Sequence, residues 1–159
     1  MNRTPTPLTE PADLLPLLRA CDLPVGDIAP GPAQRFFGLR GAGGCIAVVG
    51  LEPSGALGLL RSLAVAPAYR GQGVARQLVA YAETQARALG VERLFLLTTD
   101  AAPFFTRLGY AALDRAAAPP AIRSSAQFAG LCPASASLLC KTLGAAAPGT
   151  QPLQEAAQP

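Results

Sequence analysis

Leu63-Ala-Val-Ala-Pro-Ala-Tyr-Arg-Gly-Gln-Gly-Val-Ala-Arg76 reads as a strand feeding a tight, glycine-containing turn that opens a long helix. Gly71 and Gly73 let the backbone curve so that N–H groups converge. The unpaired N–H groups of the helix start lie just beyond, where the helix dipole favours negative charge. Arg70 and Arg76 add full charge, and no Asp or Glu occurs between Glu52 and Glu83 to oppose them. The turn suits an anion the size of a diphosphate. Glycines between a strand and a helix also serve plain tight turns, so on these residues alone both readings stand. Two nucleotide-binding patterns are excluded: there is no Gly-Lys-Ser/Thr P-loop, and a meander precedes the strand where a dinucleotide fold would open a βαβ unit.

Upstream, RFFGLR, CIAVVGLE and ALGLLRSLAV are short runs rich in branched and aromatic residues, divided by Gly41-Ala42-Gly43-Gly44 and Pro53-Ser54-Gly55. They predict a three-stranded antiparallel meander. Residues 3–8 predict a short edge strand, and Thr9 or Asp13 is the expected cap of a helix carrying Leu14, Leu15, Leu18 and Cys21. Downstream, Val74, Leu78, Tyr81 or Ala82, Gln85 or Ala86, and Leu89 recur at helical spacing, with Gly90 as the stop. RLFLLTT predicts a buried strand, DAAPFFTRLG a short helix capped by Asp100, and YAALDR another strand. The stretch after Arg115 reads as a loop or weak helix before a last strand, SASLLCKTL. The order is a meander followed by βαβαβ, one domain over residues 1–143. Residues 144–159, nearly all Pro, Gly, Gln and Ala, are expected to form a disordered tail.

The chain has 159 residues, 50% of them apolar, and a domain of that size buries roughly 70% of its unfolded surface without staples. It has no histidine, which excludes Ser-His-Asp and Cys-His nucleophile systems, imidazole metal sites and histidine bases together. No metal is expected. A net charge of +3 is far from the basic stripe that duplex nucleic acid requires. No apolar run reaches the roughly 18 residues that span a bilayer. Neither nucleic acid nor a membrane is an expected partner. Cys21, Cys45, Cys132 and Cys140 show no C-x-x-C spacing, and the chain starts without an apolar signal region, so reduced thiols and a cytoplasmic location are expected.

Arg70-Gly71-Gln72-Gly73-Val74-Ala75 resembles the R/Q-x-x-G-x-G/A signature of the GNAT acyl-CoA-dependent N-acetyltransferases. VAPAYRGQGVARQLV, the following strand and FFTRLGY resemble successive motifs of that family in order, and with the meander the resemblance covers about residues 3–143. More narrowly, GLEPSGALGLLRSLAVAP, LLTTDAAPFFTRLGY and Ala121-Ile-Arg-Ser-Ser-Ala-Gln-Phe-Ala-Gly-Leu-Cys-Pro-Ala-Ser-Ala136 resemble a GNAT subgroup found in bacterial arsenic-resistance operons. The resemblance implies an α/β (α+β) fold with a mixed, mostly antiparallel central sheet and flanking helices. It implies acetyl-CoA as cosubstrate, with Leu63, Ala64 and Val65 along the pantetheine arm and the N–H groups of Arg70, Gly71, Gln72, Gly73, Val74 and Ala75 on the pyrophosphate. Arg76 and Arg107 are candidates for further phosphate contacts. Dimerisation, common in the family, is an expectation by analogy.

The implied chemistry is attack of a neutral amine on the acetyl thioester, with a base taking the amine proton. Many family members carry a tyrosine acid at the position of Phe105, which has no proton to give; a thiolate with a pKa of about 8.5 needs little help. Glu52, near the middle of the sheet, is the first candidate base and Asp100 the second. Arg61 is a full charge inside an apolar strand. Alternation sets it on the face of Leu63 and Val65 and Ser62 on the opposite one. It is expected either to grip an anionic group of the substrate or to pair with Glu52, with Arg40 and Arg123 as lesser anion contacts. Thr98 and Thr99 can turn hydroxyls toward the acetyl group, with plain β propensity as the other explanation. Cys45 and Cys140 are expected in the core. The leading function is N-acetylation of a small, acidic, amino-acid-like amine, in keeping with arsenical or antibiotic resistance. The alternatives are a non-catalytic acyl-CoA sensor and, behind it, an arsenical binder using Cys21 and Cys132.

Overall fold

The computed structural model describes residues 4–144 of the chain; the expected tail lies outside them except for Gly144. Four antiparallel strands form the first half of the sheet: β1 (Thr6–Leu8), β2 (Arg35–Gly41), β3 (Gly44–Ser54) and β4 (Leu57–Val65). A crossover through α2 (Val74–Ala88) brings β5 (Arg93–Thr98) parallel to β4. Then come α3 (Ala102–Arg107), β6 (Ala111–Leu113), a short helix α4 (Pro120–Arg123), a π-helical turn at Gln127–Leu131 and β7 (Ser137–Thr142). One seven-stranded sheet results, in the order β1-β2-β3-β4-β5-β7-β6. β7 inserts between β5 and β6, antiparallel to both, an arrangement the chain order alone does not reveal.

Helices α2 and α3 cover one face, packing Leu78, Ala82 and Phe105 onto Phe37, Val49, Leu60 and Leu96. α1 (Pro11–Ala20) covers part of the other face through Leu14, Leu17 and Leu18, and Ile122 of α4 covers another part over Leu59, Phe95 and Leu138. Each such aliphatic side chain, fully buried, contributes about 1.5–3 kcal/mol.

Several local expectations are corrected. α1 begins at Pro11 after Glu10, without a side-chain cap from Thr9 or Asp13. Proline at the first helical position has the right φ and no N–H to satisfy, so none is needed. Pro16 then sits inside the helix, forgoing the bond to the Ala12 carbonyl. Leu17 is buried where Leu15 was expected. In α2 the inward positions include Val79 and Glu83, while Leu89 just past its end is 39% exposed. α3 is not capped by Asp100: its N-cap is Ala101, and Thr98 Oγ1 accepts from the Ala101 N–H at 2.9 Å, holding the turn into the helix. Cys45 and Cys140 lie in strands as expected but are only half-buried.

β4 carries the feature that shapes the site. Val48 pairs with Ala64 and Gly50 with Arg61, so Ser62 and Leu63 together oppose Val49 in a bulge. Ser62 has φ 56°, the left-handed conformation that a bulge imposes and a serine side chain disfavours. The bulge reverses the side-chain alternation. Leu63 and Val65 pack on the α2 face, while Arg61 packs across from Gly50 beside Phe36 on the α1 face. Ser62 also turns to Arg61, accepting from its Nε at 3.0 Å. Arg61 and Leu63 therefore do not share a face, and Ser62 does not oppose Arg61. Pairing of β4 with β5 stops at Leu59 and Phe95, leaving the rest of that edge of β4 without a strand partner.

Candidate functional site

At the far end of β4 the chain passes through a turn of 3-10 helix at Pro67–Tyr69 into the glycine turn. Gly71 and Gly73 have φ 76° and 80°, values that need glycine. Gly73 is the N-cap of α2 and offers no side chain to the helix start. The first intrahelical bond runs from Gln77 N–H to the Gly73 carbonyl at 3.0 Å, so the N–H groups of Val74, Ala75 and Arg76 have no helical partner. They open onto a groove of about 360 Å³ walled by Val65, Tyr69, Phe104 and Leu108. Arg76 and Arg107 are exposed on its wall. Arg70 is partly committed: its Nε donates to the Val65 carbonyl at 2.9 Å and its Nη2 to Cys21 Sγ at 3.6 Å. Gln72 donates to the Ala68 carbonyl, tightening the turn.

Where β4 and β5 part, a second cleft of about 420 Å³ opens, with Leu60 to Leu63 and Leu96 to Ala101 on its walls. The α1–β2 connection contributes Asp22, Leu23 and Pro24, and the β6–β7 connection contributes Gln127, Cys132 and Pro133. Thr98 is half-buried, while Thr99 and Asp100 are exposed. Phe105 closes the inner wall, packed edge-on to Phe104 and Tyr110. None of the three tyrosines lines this cleft. Burial raises the pKa of Cys132 against the opposing pull of Arg61 and Arg115, so its thiol stays protonated at neutral pH.

Arg61 is the most buried charged residue among the described residues. Its side chain is 1% exposed. Nη1 donates to Asp27 and to Glu52 at 2.6 Å each, and Nη2 donates to the second Asp27 oxygen at 2.7 Å. With Nε on Ser62, most of its protons are committed. Burial depresses its pKa, and the hydrogen bonds and charges of Asp27 and Glu52 more than reverse that, for a net rise. Glu52 does not line the cleft; Gln34 Nε2 also donates to it, at 3.4 Å. Gln34 reaches the Asp27 carbonyl as well, and its Oε1 accepts from the Ala29 N–H. Arg61 thus fastens the irregular α1–β2 connection, which forms one lip of the cleft, to the sheet. Of the two roles expected for Arg61, the geometry shows the pairing with Glu52, widened to include Asp27. Arg40 pairs with Asp13 at the surface, and Arg123 donates to the carbonyls of Ala116 and Ala118. Asp27 and Gln127 were invisible to sequence reasoning. The one available signal was that a buried arginine demands carboxylates.

The acetyltransferase (GNAT) domain family matches this chain over residues 32–112, just over half its length. The chain belongs to the GNAT acetyltransferase family. A GNAT domain takes its acyl group from acetyl-CoA. An amino-acid acetyltransferase of Ralstonia nicotianae is 37% identical over 67 residues, 42% of this chain and 15% of that protein. The matched stretch spans only a small fraction of that relative's length. Among solved structures, a putative acyl-CoA N-acyltransferase from Klebsiella pneumoniae superposes with a TM-score of 0.71 at 22% identity, over 89% of this chain and 98% of that one. N-acetylglutamate synthase from Neisseria gonorrhoeae, complexed with coenzyme A and N-acetyl-glutamate, gives 0.67 at 19% identity, over 91% of this chain and 36% of that one. These likenesses establish the mixed, mostly antiparallel fold. Among the described residues no cluster of His, Cys, Asp or Glu is placed to hold a metal ion, and no helix is long and apolar enough to cross a membrane.

Proposed function

We propose that this protein transfers the acetyl group of acetyl-CoA to the amine of a small, amino-acid-like acceptor. One observation carries the reading: the unpaired edge of β4 runs from the open N–H groups at the start of α2 into a second cleft whose wall carries Ser62, Thr98, Thr99 and Asp100. The N–H groups of Val74, Ala75 and Arg76 and the charges of Arg76 and Arg107 hold the pyrophosphate. The free edge of β4 at Leu63 and Ala64 pairs with the pantetheine arm, which sets the thioester between Thr98 and Phe105. Val65 contributes less, because Arg70 already occupies its carbonyl.

Two carboxylates can take the amine proton. Asp100 lies on the cleft wall and is relieved of helix capping by Thr98. Glu52 is held by Arg61 and Gln34 behind the wall, and would act through solvent. The coenzyme leaves as a thiolate, since the buried ring of Phe105 has no proton to supply. Supporting an amino-acid acceptor are the amino-acid acetyltransferase of Ralstonia nicotianae and the N-acetylglutamate synthase fold. The segment 121–136, which resembles the arsenic-operon subgroup, supplies Gln127 and Cys132 to the cleft. That supports arseno- and phosphino-amino acids as acceptors and a resistance role, and the free cysteines support a cytoplasmic location.

A thiol-release assay with acetyl-CoA against amino acids and their phosphono, phosphino and arseno analogues tests the reading. Acetylation of an acidic amino acid or analogue is the expected result; failure to bind acetyl-CoA at all overturns it. Phe105 favours a second reading, a CoA-binding sensor without turnover. Tight CoA binding with no acetylation of any amine, peptides included, would select it.

A further inference from the structure

Gln127, at the start of the π-helical turn on the β6–β7 connection, is 7% exposed and lines the cleft. Its Oε1 accepts from Cys132 Sγ at 3.3 Å, and its backbone carbonyl accepts from Cys132 N–H at 3.0 Å. Its Nε2 is buried and has no partner, the one such side-chain atom among the described residues. A buried amide donor left unpaired destabilises a fold, and an apolar side chain of similar volume would not. π-helical turns are rare and frequently occur at functional sites. The amide is thus an unpaired donor buried at the wall of the cleft.

We propose that Gln127 is a specificity-determining residue for the acceptor, its side-chain amide donating to an oxygen of the acceptor's carboxylate or equivalent oxyacid group. The assignment rests on the acetyl-transfer reading and names the part of the acceptor that is recognised. An N–H donor selects an oxygen. We assign that oxygen to the acceptor: the coenzyme phosphates lie in a groove that shares no residue with the cleft, and the thioester carbonyl is set between Thr98 and Phe105. Arg61, the cationic side chain of the cleft wall, is spent on Asp27 and Glu52. Asp22 and Asp100, both exposed on the cleft, present oxygens to the amine end. The cleft therefore offers a donor for the acid end of the acceptor and acceptors for its amine end, the pattern that recognises an amino acid.

Calorimetric titration of the CoA-loaded protein with L-glutamate tests this without relying on turnover, with γ-aminobutyrate and 2-aminobutyrate as probes that each lack one carboxylate. Gln127→Leu should weaken glutamate binding about tenfold or more. It should leave CoA binding unchanged, and it should not weaken binding of the one truncated probe that lacks the carboxylate Gln127 holds. Its Tm should not fall, because the orphan donor is gone. Gln127→Glu, which keeps the shape and replaces the donor with an anion, should weaken glutamate binding further. Equal glutamate affinity in wild type and both variants overturns the assignment, leaving the amide to a buried water. A lowered Tm with equal loss for all three probes also overturns it, in favour of packing. No binding of glutamate, aspartate or their phosphono analogues to the CoA-loaded protein overturns it too, and the acetyl-transfer reading then stands if another amine is acetylated and falls if CoA itself does not bind.

Discussion

Arg61 shows how much one residue's environment decides. A guanidinium at 1% side-chain exposure would be untenable alone, and its bonds to Asp27, Glu52 and Ser62 satisfy it. Removing the cation leaves two carboxylates facing each other across a partly buried gap. Arg61→Ala should lower stability by about 3–5 kcal/mol, read as a fall in the urea midpoint at constant slope. Asp27→Asn should lower it by less, because Glu52 remains to balance the charge. If Arg61→Ala instead keeps its urea midpoint and only raises KM for the acceptor, Arg61 is a substrate ligand and the fastening role is lost. The sequence exposed Arg61 as an anomaly because a charge interrupted an apolar run. It could not expose Asp27, which arrives from 34 positions upstream on a loop without periodicity. Nor could it expose the bulge at Ser62, since nothing in GLLRSLAV marks one residue for a left-handed φ. Assigning Arg61 to the face of Leu63 followed directly from assuming unbroken alternation.

At the scale of elements the sequence was far more legible. Short runs rich in branched and aromatic residues, bounded by Gly and Pro turns, delivered β2, β3 and β4, period-3.6 spacing delivered α2, and the glycine turn between them delivered the groove at the start of α2. These signals are local, so they survive without knowledge of the partners. The order β5-β7-β6 did not emerge, because strand neighbours are chosen by contacts between residues far apart in the chain. Caps failed for a related reason: proline at the start of α1 and Thr98 before α3 did work that Thr9, Asp13 and Asp100 could equally have done by type. The groove itself depends on Gly73 at φ 80°. Gly73→Ala should cost about 1–2 kcal/mol of stability through the left-handed backbone. Because relief of that strain re-aims the N–H groups of Val74 and Ala75, KM for acetyl-CoA should rise several-fold while kcat at saturation holds. Equal KM values in wild type and variant would show that the arginines alone carry the pyrophosphate.

Across the whole molecule, one polar network ties the α2 crossover to the far half of the sheet. Glu83 of α2 accepts from Tyr110 Oη at 2.9 Å and from Lys141 Nζ at 3.0 and 3.1 Å, and Lys141 also donates to the Leu108 carbonyl at 2.8 Å. Lys141, the chain's single lysine, thus joins β7 to both α2 and the end of α3. Burial raises the Tyr110 pKa, and the Glu83 charge and hydrogen bond raise it further, well above the ordinary 10.0. The sign follows directly. Above pH 10 the unfolded chain releases the phenolic proton and the folded chain keeps it, so the unfolded state gains with each step in pH. The stabilisation is complete below about pH 10 and is lost as pH rises beyond it. Tyr110→Phe should cost about 1.5–3 kcal/mol at pH 7, the range for a hydrogen bond to a charged group. It should also fall less steeply than wild type between pH 9 and 11, because the titrating phenol is gone. Urea unfolding of the two proteins across that range reads both effects, and their difference cancels the contribution of the half-buried thiols of Cys45 and Cys132, whose pKa values are also raised by burial. Parallel alkaline slopes would mean that Tyr110 ionises as easily folded as unfolded and that Lys141 alone holds Glu83 in place.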